Sequence, residues 1–213
     1  MGDPGRARTR SDSSRCRCVA HFLLLTAWAS RNGDCRVARN LALRWLEEHP
    51  RAGIDPDVCV LAPAPADFDA LTSWRLWEAG RVAPVFCVEV VSATHPYKDY
   101  LEVPERYAAL GAFELLVFDP ALFGPKALGG PVPLQLWRRD SIGAFERVHF
   151  GEDPVFSEAL EAWLSVDQGH LVISSDRAGA SRWLTAEEHE RAAREQAERR
   201  VRELEEALRH ANG

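Results

Sequence analysis

The sequence has no apolar run long enough to cross a bilayer. Its longest, Val19 to Ala29, falls short of the roughly 20 residues that a spanning helix needs. It has no cysteine framework. Cys16, Cys18, Cys35, Cys59 and Cys87 are odd in number and lack paired spacing, so a reducing compartment, the cytoplasm, is expected. Cys16-x-Cys18 has no second ligand pair nearby, so no zinc site is expected there. A basic excess is missing too. The 26 Lys and Arg against 32 Asp and Glu leave a net charge of −6, which argues against a basic nucleic-acid binder but leaves room for a local basic groove. Arginines crowd the chain as far as Arg44, and acids dominate from Glu47 onward. No helix-turn-helix, zinc finger or basic amphipathic helix that would read bases is visible.

What is present is ordinary for a globular protein. The chain is 46% hydrophobic and 27% charged, and its 213 residues suffice for one domain with a sizeable core and appendages. Residues 1–18 are rich in Arg and Ser and are expected to be disordered. Val19–Ala29 reads either as a secretory signal or as the first core helix. The helix is preferred, because nothing downstream looks secreted. Val37, Leu41 and Trp45, with Ala38, Ala42 and Leu46 beside them, predict a helix over Val37–His49, capped by Asp34 or Asn32 and ended by Pro50. Asp57–Ala62 reads as a strand between Pro56 and Pro63, and Pro63–Trp77 as a loop or short helix.

The stretch from Val85 to Tyr107 organises the rest. Val85-Phe86-Cys87-Val88-Glu89-Val90-Val91-Ser92 is an apolar run interrupted by one carboxylate, and it predicts a buried central strand. A carboxylate there needs a partner or a metal, unless it sits at the strand end and reaches solvent or an arginine. Tyr100–Leu110 predicts a helix with Leu101, Val103, Tyr107 and Leu110 inward, starting near Val103 because Pro104 suits a first turn, and stopping at Gly111. Phe113–Asp119 is a second buried strand, so the order strand, helix, strand implies a crossover between parallel neighbours. Leu134–Arg138 and Phe145–Phe150 predict a hairpin, Val155–Leu164 a short helix or turn, and Leu171–Ser174 an edge strand. Residues 176–184 read as a linker. Thr185-x-x-Glu188 is a capping box opening a helix over 185–213. Ala193, Ala197, Val201, Leu204, Leu208 and Ala211 recur along it at spacings of three and four. That stripe is a coiled-coil seam, and a homodimer through it is expected.

Asp57 opens one predicted strand and Glu89 lies in the next. Adjacent strands can bring both carboxylates to one end of a sheet, and two hard oxygen ligands suit Mg²⁺ or Mn²⁺. Such an ion activates water and neutralises charge on a phosphodiester.

These residues carry a resemblance. Pro56-Asp57, Trp77-Glu78-x-Gly80, Glu89-Val90-Val91-Ser92, Asp99, Tyr107 with Gly111, and Phe118-Asp119-Pro120 together resemble the Uma-type (DUF820-like) restriction-endonuclease family of the PD-(D/E)XK nuclease superfamily. The resemblance spans roughly Asp55 to the C-terminus. It implies an α/β fold, a restriction-endonuclease-like mixed sheet flanked by helices, over 19–175, with the extended C-terminal helix appended. It also implies DNA as substrate, Asp57 and Glu89 as metal ligands, and a lysine completing the site. That lysine stands two residues after the Glu or on the following helix, at the places held here by Val91 and Val103. Lys98 is the expected substitute, ahead of Arg106. Asp99 matches a family position, as an auxiliary group or simply a helix cap. His95 has a contact to phosphate or a proton transfer open to it, and Tyr107 reads as packing. With Val37–His49 helical, strands that the family places ahead of Pro56-Asp57 would be missing. Two functions follow as expectations: a metal-dependent DNA endonuclease, or a degenerate, inactive nuclease fold acting as an interaction module.

Overall fold

The computed structural model describes residues 20–64, 68 and 71–211; the predicted disorder at 1–18 lies outside them. Helix α1 covers residues 20–29. Strands β1 (Arg36–Ala38), β2 (Ala42–Arg44), β3 (Gly53–Ile54), β4 (Val58–Leu61), β5 (Ser73–Arg75) and β6 (Phe86–Val90) follow. Helix α2 (Pro96–Leu110) leads to β7 (Glu114–Phe118), β8 (Leu134–Arg139), β9 (Phe145–Gly151), β10 (Val155–Ser157), β11 (Ala162–Asp167) and β12 (His170–Ser174). Helix α3 (Ala186–Ala211) lies in a second compact unit, Leu184–Gly213.

The main sheet runs β1-β4-β6-β7-β8-β9. Only β6 and β7 are parallel, joined through α2 as the sequence predicts; the other pairs are antiparallel. Side chains alternate across it. Val58, Val60, Phe86, Val88, Leu116 and Phe118 pack on one face with Leu25 of α1 and with Ala162, Leu164 and Ile173 of the β10-β11-β12 sheet. Cys59, Leu61, Cys87, Leu115 and Val117 point the other way, against Val103, Tyr107 and Leu110 of α2 and against Leu43, Ile54 and Trp74 of the β3-β2-β5 sheet. The central strands are therefore apolar on both sides, which is why they read as continuous hydrophobic runs.

Three expectations are corrected. Residues 37–49 form strands β1 and β2, not a helix. Leu41 and Leu43, two apart, are both buried, and Asn40 between the strands sits at φ 50, outside the right-handed helical region. Pairing with β4 and with β3 and β5 overrides a helical period that was equally consistent with the sequence. The strands ahead of Pro56-Asp57 are thus present. Residues 155–164 hold no helix: β10 and the start of β11 flank a turn at 158–161, with Phe156 edge-to-face on Trp163 across the pair and Glu161 at φ 51. Third, α2 begins at Pro96, not near Val103. Pro96 takes the first turn, and Pro104 is tolerated inside because Tyr100, Val103, Pro104 and Tyr107 are all buried on the sheet. Its inner row is Tyr100, Val103, Tyr107 and Leu110; Leu101 is exposed. Gly111 ends the helix at φ 86, donating to the Ala108 carbonyl.

One buried ion pair ties the two layers of the first face. Glu114, fully buried on β7, accepts from Arg138 Nε at 2.6 Å, from Ser157 Oγ, and from the backbone N–H groups of Glu158 and Ala159. Arg138 also donates to Glu158 and to the Phe156 carbonyl. Breaking such a pair strands the remaining charge. Glu114→Ala is expected to lower the unfolding free energy in urea by about 3–5 kcal/mol, with Glu114→Gln losing less.

Candidate active site

The antiparallel register of β4 and β6 pairs Val58 with Val88 and Cys59 with Cys87. The next step along places Asp57 opposite Glu89. By alternation both carboxylates lie on the α2 face, one step beyond the Cys59–Cys87 pair. Pro56 ends the preceding chain segment, so Asp57 starts the strand with its side chain at the sheet's end. Asp57 Oδ2 accepts from the Val90 backbone N–H at 2.8 Å. This bond fastens Asp57 to the residue after Glu89.

Glu89 is partly buried and accepts one hydrogen bond, from the Tyr107 hydroxyl to Oε1 at 2.7 Å. Burial, and then the charge of Asp57, push its pKa up from an ordinary 4.5 to about 8; the Tyr107 hydrogen bond pulls the other way, and more weakly Asp99 raises it and Lys98 lowers it. Tyr107 is itself held well above the usual phenol range by burial and by Glu89. The sequence reading of Tyr107 as packing missed this donor role. The one signal for it is position: a tyrosine on the inner row of the helix that follows the Glu89 strand.

The other expected residues cluster around the turn from β6 into α2. Asp99, in the first turn of α2, accepts at Oδ2 from the Ser92 N–H at 2.8 Å and from Ser92 Oγ at 3.1 Å. Ser92 Oγ in turn accepts from the His95 N–H at 3.2 Å. Asp99 therefore fastens the turn to the helix, and burial raises its pKa. His95 and Lys98 are exposed. Lys98 and Lys126 are the two lysines of the sequence, and Lys98 bears electrostatically on both Glu89 and Asp99. Val91 and Val103, at the customary lysine places, are each 2% exposed and pack with Tyr107 in the core. Cys59 and Cys87 beneath the site are free thiols whose pKa burial raises, so they are not nucleophiles.

Among the described residues no three His, Cys, Asp or Glu side chains form a metal-holding group. The fit of a divalent cation rests on the pair alone. Asp57 and Glu89 offer hard oxygen donors, and a cation between them would offset the burial and the Asp57 charge that raise the Glu89 pKa.

Residues 9–152 match the family described as "Uma2: Putative restriction endonuclease". The chain belongs to the Uma2 family. The expected span, Asp55 to the C-terminus, is corrected at both ends: the match takes in α1 and β1–β3 and stops after β9. No curated protein matches. Among solved structures the chain is similar to one described as a putative nuclease belonging to DUF820 from Anabaena variabilis ATCC 29413. The identity is 11%, over 72% of this chain and 74% of that one, with a TM-score of 0.42.

Two outcomes follow from the electrostatics of Glu89. Its folded pKa, about 8, lies above its ordinary 4.5, so folding favours the protonated form. In metal-free protein this group costs nothing below the lower value and progressively more as pH rises to the upper one. The thermal midpoint of metal-free protein is expected to fall over that window. Glu89→Gln should flatten the fall and exceed the wild type at the alkaline end. Tyr107→Phe, by removing the hydrogen bond that favours the charged form, should move the Glu89 carboxyl titration still higher in a ¹³C NMR experiment.

Proposed function

We propose that this Uma2-family protein is a divalent-metal-dependent endonuclease hydrolysing DNA phosphodiester bonds, with Asp57 and Glu89 as its metal ligands. The observation that carries the reading is the company Glu89 keeps. Glu114 and Asp119, the other carboxylates at the ends of this sheet's core, are fully buried and accept four and three hydrogen bonds respectively. Glu89 has one, and faces a second carboxylate. A sparsely hydrogen-bonded carboxylate of raised pKa beside a second carboxylate is characteristic of functional sites.

Bound Mg²⁺ or Mn²⁺ would neutralise charge on the phosphodiester and activate water. Asp57, held by Val90, and Glu89, with Oε1 held by Tyr107, would fix its place. Lys98 would stabilise charge at the scissile phosphate. Asp99 ties the first turn of α2, which carries Lys98, to Ser92, and His95 is exposed for phosphate contact or proton transfer. We place the protein in the cytoplasm on the free thiols of Cys35, Cys59 and Cys87. No helix among the described residues is long and apolar enough to cross a membrane. A second reading, an inactive nuclease fold serving as an interaction module, is favoured by the buried Val91 and Val103.

Plasmid cleavage with Mg²⁺ or Mn²⁺ separates the two. The endonuclease reading expects nicking or cutting that Asp57→Ala and Glu89→Ala each abolish, and that Lys98→Ala slows by about 10²–10³-fold, as loss of one transition-state donor does. Absence of cutting, together with no metal binding by calorimetry, overturns the endonuclease reading and leaves an inactive relic or interaction module.

A further inference from the structure

We propose that α3 is one strand of a parallel, in-register, two-stranded coiled coil formed with a second copy of this chain. The capping box forms as expected. Thr185 N–H donates to Glu188 Oε2 at 2.8 Å, and the Glu188 N–H donates back to Thr185 Oγ1 at 3.3 Å. From His189 to His210 every residue is exposed. The helix nonetheless carries large apolar side chains along one line: Val201 is 54%, Leu204 49% and Leu208 62% exposed. A solitary solvated helix has no use for that line, since its stability comes from charged pairs such as Arg200 with Glu203.

The charges beside the stripe say what covers it. With Val201 and Leu208 at heptad positions a, Ala197 and Leu204 fall at d, Arg200 at g, and Glu198 and Glu205 at e. In a parallel pair each g residue meets the e residue of the following heptad on the other helix. Arg200 of one copy then meets Glu205 of the other, twice by symmetry. In an antiparallel pair e faces e, and Glu198 meets Glu205. The same sequence thus attracts in one orientation and repels in the other. In the central heptad, Val201 at a beside Leu204 at d also favours two strands over three.

Both copies enter α3 at its cap, Thr185. By connectivity a parallel pair attaches the preceding units at one end, whereas antiparallel pairing would separate the attachment points by about 39 Å at 1.5 Å per residue. The pairing does not rest on the nuclease reading. Its use, two sites delivered together to the two strands of one duplex, does.

Sedimentation equilibrium of the full chain across the micromolar range tests this independently of cleavage. The wild type is expected to be a dimer, and Leu204→Asp a monomer with unchanged near-ultraviolet circular dichroism. Arg200→Glu and Glu205→Arg should each weaken association about tenfold, and the double exchange should restore it. A monomeric wild type, a dimer that survives Leu204→Asp, or a Glu205→Arg variant that associates more tightly would each overturn the proposal, the last by revealing antiparallel pairing.

Discussion

A sheet covered on both faces leaves no water for a polar group on its central strands. That constraint sorts the carboxylates of this protein. Glu114 meets it by gathering Arg138, Ser157 and two backbone N–H groups, and in doing so binds β8 and the β10-β11 segment to β7. Asp119 meets it with the Tyr100 hydroxyl and the N–H groups of Phe123 and Gly124, which fastens the loop after β7 onto α2. Glu89 meets it with a single protein donor, the Tyr107 hydroxyl, and faces a second carboxylate. The unmet demand appears as a raised pKa, and it sits at the sheet end where Asp57 also arrives.

The position of that site follows from two strand junctions. Pro56 ends one segment and starts β4 at Asp57, while β6 runs antiparallel to it and ends just past Glu89. The chain then turns through Ser92–His95 into α2, and the turn is closed by Asp99 rather than by a side chain at the helix N-cap. Because α2 lies over the same sheet face, its inner row reaches back to the strand it came from. Tyr107 therefore meets Glu89, Tyr100 reaches Asp119, and Val103 and Leu110 of that row only pack.

Much of the fold was legible because the central strands announce themselves. β4, β6 and β7 are apolar runs bounded by proline, and the helix between β6 and β7 dictates their parallel pairing. The peripheral strands were harder. Residues 37–49 and 155–164 carry spacings compatible with either period, and what decides them is pairing with strands outside each stretch, β4 in one case and β12 in the other. The site divides in the same way. Asp57 and Glu89 could be read from strand order. Yet Phe113-Glu114-Leu115-Leu116-Val117 has the same appearance as the Glu89 strand, a lone acid in an apolar run. Nothing local separates the structural carboxylate from the candidate ligand, because Arg138 and Ser157 come from other strands.

The packing of Val91 and Val103 bears on how such a site would work. Glu89 and Val91 share a strand face, so a lysine at 91 would enter the space that Val91, Val103 and Tyr107 fill. With that space closed, the Glu89 carboxylate is held instead by the Tyr107 phenol, which is neutral and tolerates burial. On the proposed reading positive charge passes to Lys98, which remains in solvent and need not be desolvated before substrate arrives. An ammonium at an exposed turn is positioned less tightly than one packed in a core. On that reading the Asp99–Ser92 hydrogen bonds are more than a helix cap, since they tie down the first turn of α2, which carries Lys98.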